Sequence, residues 1–129
     1  MKNVLILATV AALALTACSG PKTFDAKGTM TIGPKGVTQY APGGGECKGT
    51  SGYDDISAGA QVVVTADGKT VGVGELGEGK YKDGWCEFPF TVSGIKEGNE
   101  FYGVEVSHRG KIEYTSDDLK SGVKLSLGS

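Results

Sequence analysis

The stretch Trp85-Cys86-Glu87-Phe88-Pro89-Phe90-Thr91-Val92 decides how this chain folds. Cys86, Phe88, Phe90 and Val92 recur at every second position, opposite Trp85, Glu87, Pro89 and Thr91. That period of two belongs to an extended strand with one buried face. Pro89 has no amide donor, so the pattern predicts an edge strand or a bulge at that point.

The same alternation appears on both sides. Upstream, the β-branched run Gln61-Val62-Val63-Val64-Thr65 leads to Ala66-Asp67-Gly68-Lys69, where Asp-Gly suits the positive φ of a hairpin turn. Thr70 to Leu76 returns as the partner strand. Further upstream, Phe24, Ala26, Gly28, Met30 and Ile32 alternate with polar residues. Gly33 to Gly36 then turns into a short edge strand over Val37–Tyr40. Downstream, Ser93 to Asn99 reads as a turn. Tyr102, Val104 and Val106 set the inward face of a strand from Phe101 to His108, and Arg109-Gly110 turns into Lys111–Tyr114. Residues 115–120 fit one helical turn capped by Thr115 or Ser116. Val123, Leu125 and Leu127 alternate in a final strand.

Glycine makes up 22 of the 129 residues, without a Gly-X-Y period, and falls between the alternations as turn-rich β chains require. About seven or eight short strands, turns every 8–12 residues and no long helix predict an all-β, two-sheet antiparallel sandwich. Immunoglobulin-like or transthyretin-like connectivity fits this spacing, and a small closed barrel is the alternative. Ala41 to Asp55 and Gly77 to Gly84 are rich in glycine and poor in aliphatics, and both read as loops.

The first 17 residues have a different character. Met1-Lys2-Asn3 is a short cationic start, and Val4 to Leu15 is an apolar run interrupted only by Thr9. That run suits a secretory leader and falls short of the roughly 20 residues needed to span a bilayer. Leu15-Thr16-Ala17-Cys18 resembles the lipobox of bacterial lipoproteins: an aliphatic residue, two small ones and a cysteine. The resemblance implies a cleaved signal peptide over residues 1–17 and a diacylglycerol thioether on Cys18, with further acylation such as palmitate on its new amine. Two or more acyl chains hold stably where one holds marginally. Residues 18–22 then form a lipidated tether and residues 23–129 the β-sandwich domain, at the extracytoplasmic face of the cell membrane. The segments Gly52–Ile56, Gly59–Val64, Trp85–Phe90 and Phe101–Gly110 together resemble small exported actinobacterial proteins of unassigned function, which implies a cell-envelope β-domain.

With Cys18 consumed by lipid, Cys47 and Cys86 remain in an oxidising compartment, and that even remainder predicts a disulfide. A metal pair needs more ligands than two cysteines and the distant His108 supply. The formal net charge is −2 and no basic run is present, which argues against nucleic acid. His108 reads as an exposed strand-end residue. Asp54-Asp55 and Asp117-Asp118 read as turn and helix-start formers, because the calcium-loop spacing is absent. Gly72-x-Gly74 and Gly77-x-Gly79 lack the strand-to-helix setting of a phosphate loop. No cofactor or metal site is expected.

Tyr53, Tyr81 and Trp85 flank loops beside the two cysteines, and a bond between these would gather the aromatics at one rim, a candidate binding surface. The expectation is a non-catalytic binding or accessory module whose partner is an envelope protein or glycan. An envelope hydrolase or carbohydrate-active enzyme, with a converging carboxylate pair, is the rival reading. A purely structural surface lipoprotein is a third.

Overall fold

The computed structural model describes residues 20–41 and 45–128. The expected signal peptide and the expected lipidation site, Cys18, lie outside the described residues. The strands, in chain order, are β1 (Thr23–Ile32), β2 (Val37–Ala41), β3 (Gly45–Gly49), β4 (Gln61–Ala66), β5 (Lys69–Glu75), β6 (Lys80–Lys82), β7 (Trp85–Lys96), β8 (Tyr102–Val106), β9 (Lys111–Tyr114) and β10 (Val123–Leu127). A 3-10 turn at Pro34–Gly36 links β1 to β2, and helix α1 (Ser116–Ser121) links β9 to β10.

Two four-stranded sheets, ordered β10-β1-β7-β6 and β5-β4-β8-β9, pack face to face, with β2 and β3 as a separate ribbon. The protein is therefore an all-β sandwich, and among the described residues the sheets do not close into a barrel. All ladders are antiparallel except β1–β10, which runs parallel from Gly28↔Val123 to Ile32↔Leu127.

The alternations land as their periodicity demands. Cys86, Phe88, Phe90 and Val92 point into the core with Ala26, Met30 and Ile32 of β1, and Val62, Val64, Val104 and Val106 face them from the second sheet. The Val, Ile, Phe and Met side chains among them contribute about 1.5–3 kcal/mol each when fully buried. Tyr102 is fully buried, its ring edge-on to Phe24 at 5.2 Å between centroids. Its hydroxyl donates to the Lys96 carbonyl at 2.7 Å, so the buried polar end is satisfied and the end of β7 is tied to the start of β8. Thr115 caps α1 in a capping box with Asp118, and Leu119 of that turn is fully buried.

The strands number ten among the described residues, because both expected loops contain short strands. β3 occupies part of Ala41–Asp55 and pairs with β2 through Gln39↔Cys47, while β6 occupies part of Gly77–Gly84 and pairs with β7 through Tyr81↔Cys86. Neither has an aliphatic alternation of its own; a partner strand supplies the order. β7 also continues to Lys96, through the span read as a turn, because Ile95 pairs with Phe24 beyond a bulge in β7, where Ser93 and Gly94 stand opposite Asp25 alone.

Three local expectations are corrected. β7 is an internal strand, not an edge, and no register shift falls at Pro89. The Pro89 carbonyl accepts from Gly77 N–H at 2.7 Å, just beyond the end of β6, so its ring nitrogen also points where the ladder is broken. The β8–β9 turn centres on Ser107 and His108, at φ 46° and 59°, not on Arg109-Gly110. Arg109 N–H closes it onto the Val106 carbonyl at 3.0 Å. Finally, Gly72 and Gly74 face the core from β5, where a Cβ at either would press on Val92, and one at Gly72 on Ile95 as well. They bring two sheets together, which accounts for a glycine spacing that has no phosphate-loop setting.

Candidate functional site

The candidate site is the stapled end of the sandwich. Cys47 on β3 and Cys86 on β7 are bonded, with Cα atoms 5.9 Å apart and both side chains fully buried. Gly79 lies against the bond: a Cβ there would stand 2.8 Å from Cys86 Sγ and collide with the Cys47 carbonyl. Two hydrogen bonds reinforce this junction of β3 and β6. Glu46 N–H donates to the Gly79 carbonyl at 2.8 Å, and Tyr81 N–H donates to Glu46 Oε2 at 3.0 Å.

Tyr81 and Trp85 sit on one hairpin but on opposite faces. Tyr81 pairs with Cys86 and shares the disulfide side, whereas Trp85 pairs with Lys82 on the outer side of the sheet. Tyr81 is 37% exposed, and Trp85 is half-buried rather than part of the core.

Tyr53 lies in the loop between β3 and β4. Its ring covers Gly36 at one end of the 3-10 turn, where a Cβ would collide with it. At the other end of that turn, Pro34 packs beside Gly84, the residue before Trp85, 3.3 Å from where a Cβ would stand. Tyr53 and Gly84, the residue before Trp85, therefore flank the Pro34–Gly36 turn, while Tyr81 lies on the opposite, disulfide-side face of the hairpin. Among the described residues none of the three rings stacks on another; they line one end of the molecule in separate positions.

Sequence reasoning missed the clamp that holds Tyr53. The Arg109 guanidinium lies over the Tyr53 ring, 5.2 Å from its centroid. Its Nε donates to Asp55 Oδ2 at 2.9 Å, its Nη2 donates to the Gly52 carbonyl at 2.5 Å, and Nη2 also pairs with Asp55 Oδ1. This is the bidentate fork that arginine forms and lysine does not. Hydrogen bonding to Arg109 is the main cause that lowers the Asp55 pKa to about 2, with a smaller contribution from Ser107. Asp55 is thus more than a turn former. One signal was present in the sequence: Arg109 is the only arginine in the chain.

No protein-family model, curated protein or solved structure matches this chain. The geometry of the stapled end therefore stands on its own.

The remaining titratable groups are dispersed. His108 is exposed, with Nδ1 3.5 Å from Glu105 Oε1. Asp118 serves the α1 cap, and Lys120 pairs with Glu97. Among the described residues no three His, Cys, Asp or Glu side chains gather closely enough to hold a metal ion, and no helix is long and apolar enough to cross a membrane.

Proposed function

We propose that this chain is a lipid-anchored, extracytoplasmic binding module of the cell envelope, held at the membrane through Cys18. It would engage an envelope protein or glycan through the rim of Tyr53, Tyr81 and Trp85 and carry out no chemistry of its own. One observation carries the binding reading. Amphipathic aromatics, partly exposed, stand on backbone made rigid by the Cys47–Cys86 bond and the Arg109–Asp55 clamp. Rigid aromatic anchors lose little entropy when a partner covers them, which is why such residues dominate binding surfaces. The anchor reading rests on the lipobox-like run Leu15-Thr16-Ala17-Cys18.

The two halves of the proposal have separate tests. Intact mass of the protein purified from membranes should show a chain beginning at Cys18 and carrying acyl mass, and Cys18→Ala should abolish both features. A mature form beginning elsewhere, without acyl mass, rules out the anchor. For the rim, partners cross-linked to the wild-type protein in the envelope should be lost or strongly reduced with Trp85→Ala or Tyr81→Ala, while the melting temperature of the variant stays near wild type. Turnover of an envelope glycan by the purified protein would replace the binding reading with an enzymatic one.

A further inference from the structure

The fold sorts charge in a way the net charge of −2 conceals. By strand alternation and register, the outer face of the β10-β1-β7-β6 sheet carries Lys27, Lys80, Lys82, Lys96 and Lys124, all exposed. The carboxylates on that face are Asp25, which accepts from Gly94 N–H at 3.3 Å, and Glu87. None of the five lysines has a carboxylate within 4.0 Å among the described residues. Between them lie Thr29, Thr31, Thr91 and Ser126, small side chains that furnish hydroxyls, and Trp85 stands half-buried at one edge of the face beside Lys82. The opposite outer face has the reverse balance, with Glu75, Glu105 and Glu113 against Lys111.

We propose that the lysine face of this sheet docks flat on anionic phospholipid headgroups. Charge complementarity is the first argument. Ammonium groups spread over four strands, with threonine hydroxyls between them, match a planar array of phosphates better than a compact ligand. The second argument is position. Glu97 N–H bonds the Lys22 carbonyl at 2.9 Å, so Lys22, directly before β1 of this same sheet, is fastened just past the end of β7. Only three residues separate Cys18 from Lys22, a reach of at most about 14 Å. This placement rests on the Cys18 anchor proposed above; the charged face itself does not. Docking would orient an anchored domain with its acidic face toward solvent, and attraction would act only within the roughly 8 Å Debye length of physiological salt.

The test uses the processed protein as purified from membranes, reconstituted in vesicles of phosphatidylcholine alone or with about 30% phosphatidylglycerol. Amine acylation read by mass spectrometry should slow about fivefold or more at the five face lysines in the anionic vesicles. Lys69 and Lys111 should not change, and about 0.5 M salt should remove the protection. Lys27→Gln combined with Lys124→Gln should return labelling of Lys80, Lys82 and Lys96 in the anionic vesicles to its phosphatidylcholine rate, because losing two charges weakens docking about 30-fold. Equal labelling in both kinds of vesicle overturns the proposal. So does protection that grows with protein concentration without lipid, which would mean that the acidic face of a second copy covers the lysines. If intact mass shows no acyl chain, pelleting that requires phosphatidylglycerol still supports the face, and failure to pellet rejects it. The two readings therefore fail separately.

Discussion

Along one flank of the sandwich β5 lies directly against β7; along the other, β9 and β10 never pair. On the first flank Gly72 and Gly74 remove the side chains that would hold the sheets apart. Leu76 then bridges to Phe90, and Gly77 N–H reaches the Pro89 carbonyl, so chain from the second sheet crosses onto the first. On the second flank the facing residues are Ile112, 47% exposed, and the half-buried Tyr114. There α1 joins the strands end to end, and a hollow of about 330 Å³ lined by Tyr114, Asp118, Val123 and Lys124 remains open. Side-chain volume decides which flank closes. A second glycine-lined flank would have favoured a barrel; one such flank leaves a sandwich with a tight side and a loose side.

The largest effect is expected at the staple, which ties β3 to β7 beside Gly79, two residues past the Gly77 crossover. Replacing both Cys47 and Cys86 by Ser opens a loop with a sequence separation of 39, and should cost about 4 kcal/mol in denaturant unfolding. A loss below about 1 kcal/mol would mean that the glycine contacts hold this flank without the bond. The second measurement compares the flanks directly. Gly72→Val should cost about 2–3 kcal/mol, because the added side chain meets Ile95 and Val92 in a packed core. Ile112→Ala on the loose side should stay within about 1 kcal/mol. Equal costs would show that the two flanks are packed alike and that the contrast fails.

The alternating segments were legible because burial on one face imprints a period of two, as Cys86 to Val92 and Phe24 to Ile32 show. Cys47 and Cys86 were legible as a pair by elimination, and Thr115 as a cap by residue type. β3 and β6 were not, since each depends on hydrogen bonds from a strand elsewhere in the chain. The division of the rim was hidden for a related reason. Only the register Tyr81↔Cys86 and Lys82↔Trp85 places Tyr81 and Trp85 on opposite faces, and a one-residue slip would reverse that assignment. The lysine face was hidden too, because Lys27, Lys80, Lys96 and Lys124 are scattered along the chain and meet only after folding.

The smallest expected effect lies at the end of the loose flank. Tyr53 touches Gly128, just past β10, and lies under Arg109, just before β9, so the clamp fastens two strands that no ladder joins. Asp55 holds Arg109 in place, and its folded pKa of about 2 lies below the ordinary 3.8. Between those values the unfolded chain binds more protons than the folded one, so stability must fall as pH drops through that window. From about pH 5 upward the contribution is fully present. The Asp55 side chain is 36% exposed, and solvent screening reduces the contribution to about 1 kcal/mol. Asp55→Asn should therefore lower the melting temperature at pH 7 by about 4–8 °C. The gap to wild type should narrow as pH falls from about 4 to about 2. Hydrogen exchange should also quicken at the ends of β9 and β10 in this variant while β5 and β7 keep wild-type protection. A gap that persists unchanged at pH 2 would mean that the carboxylate charge does not fasten the loose flank.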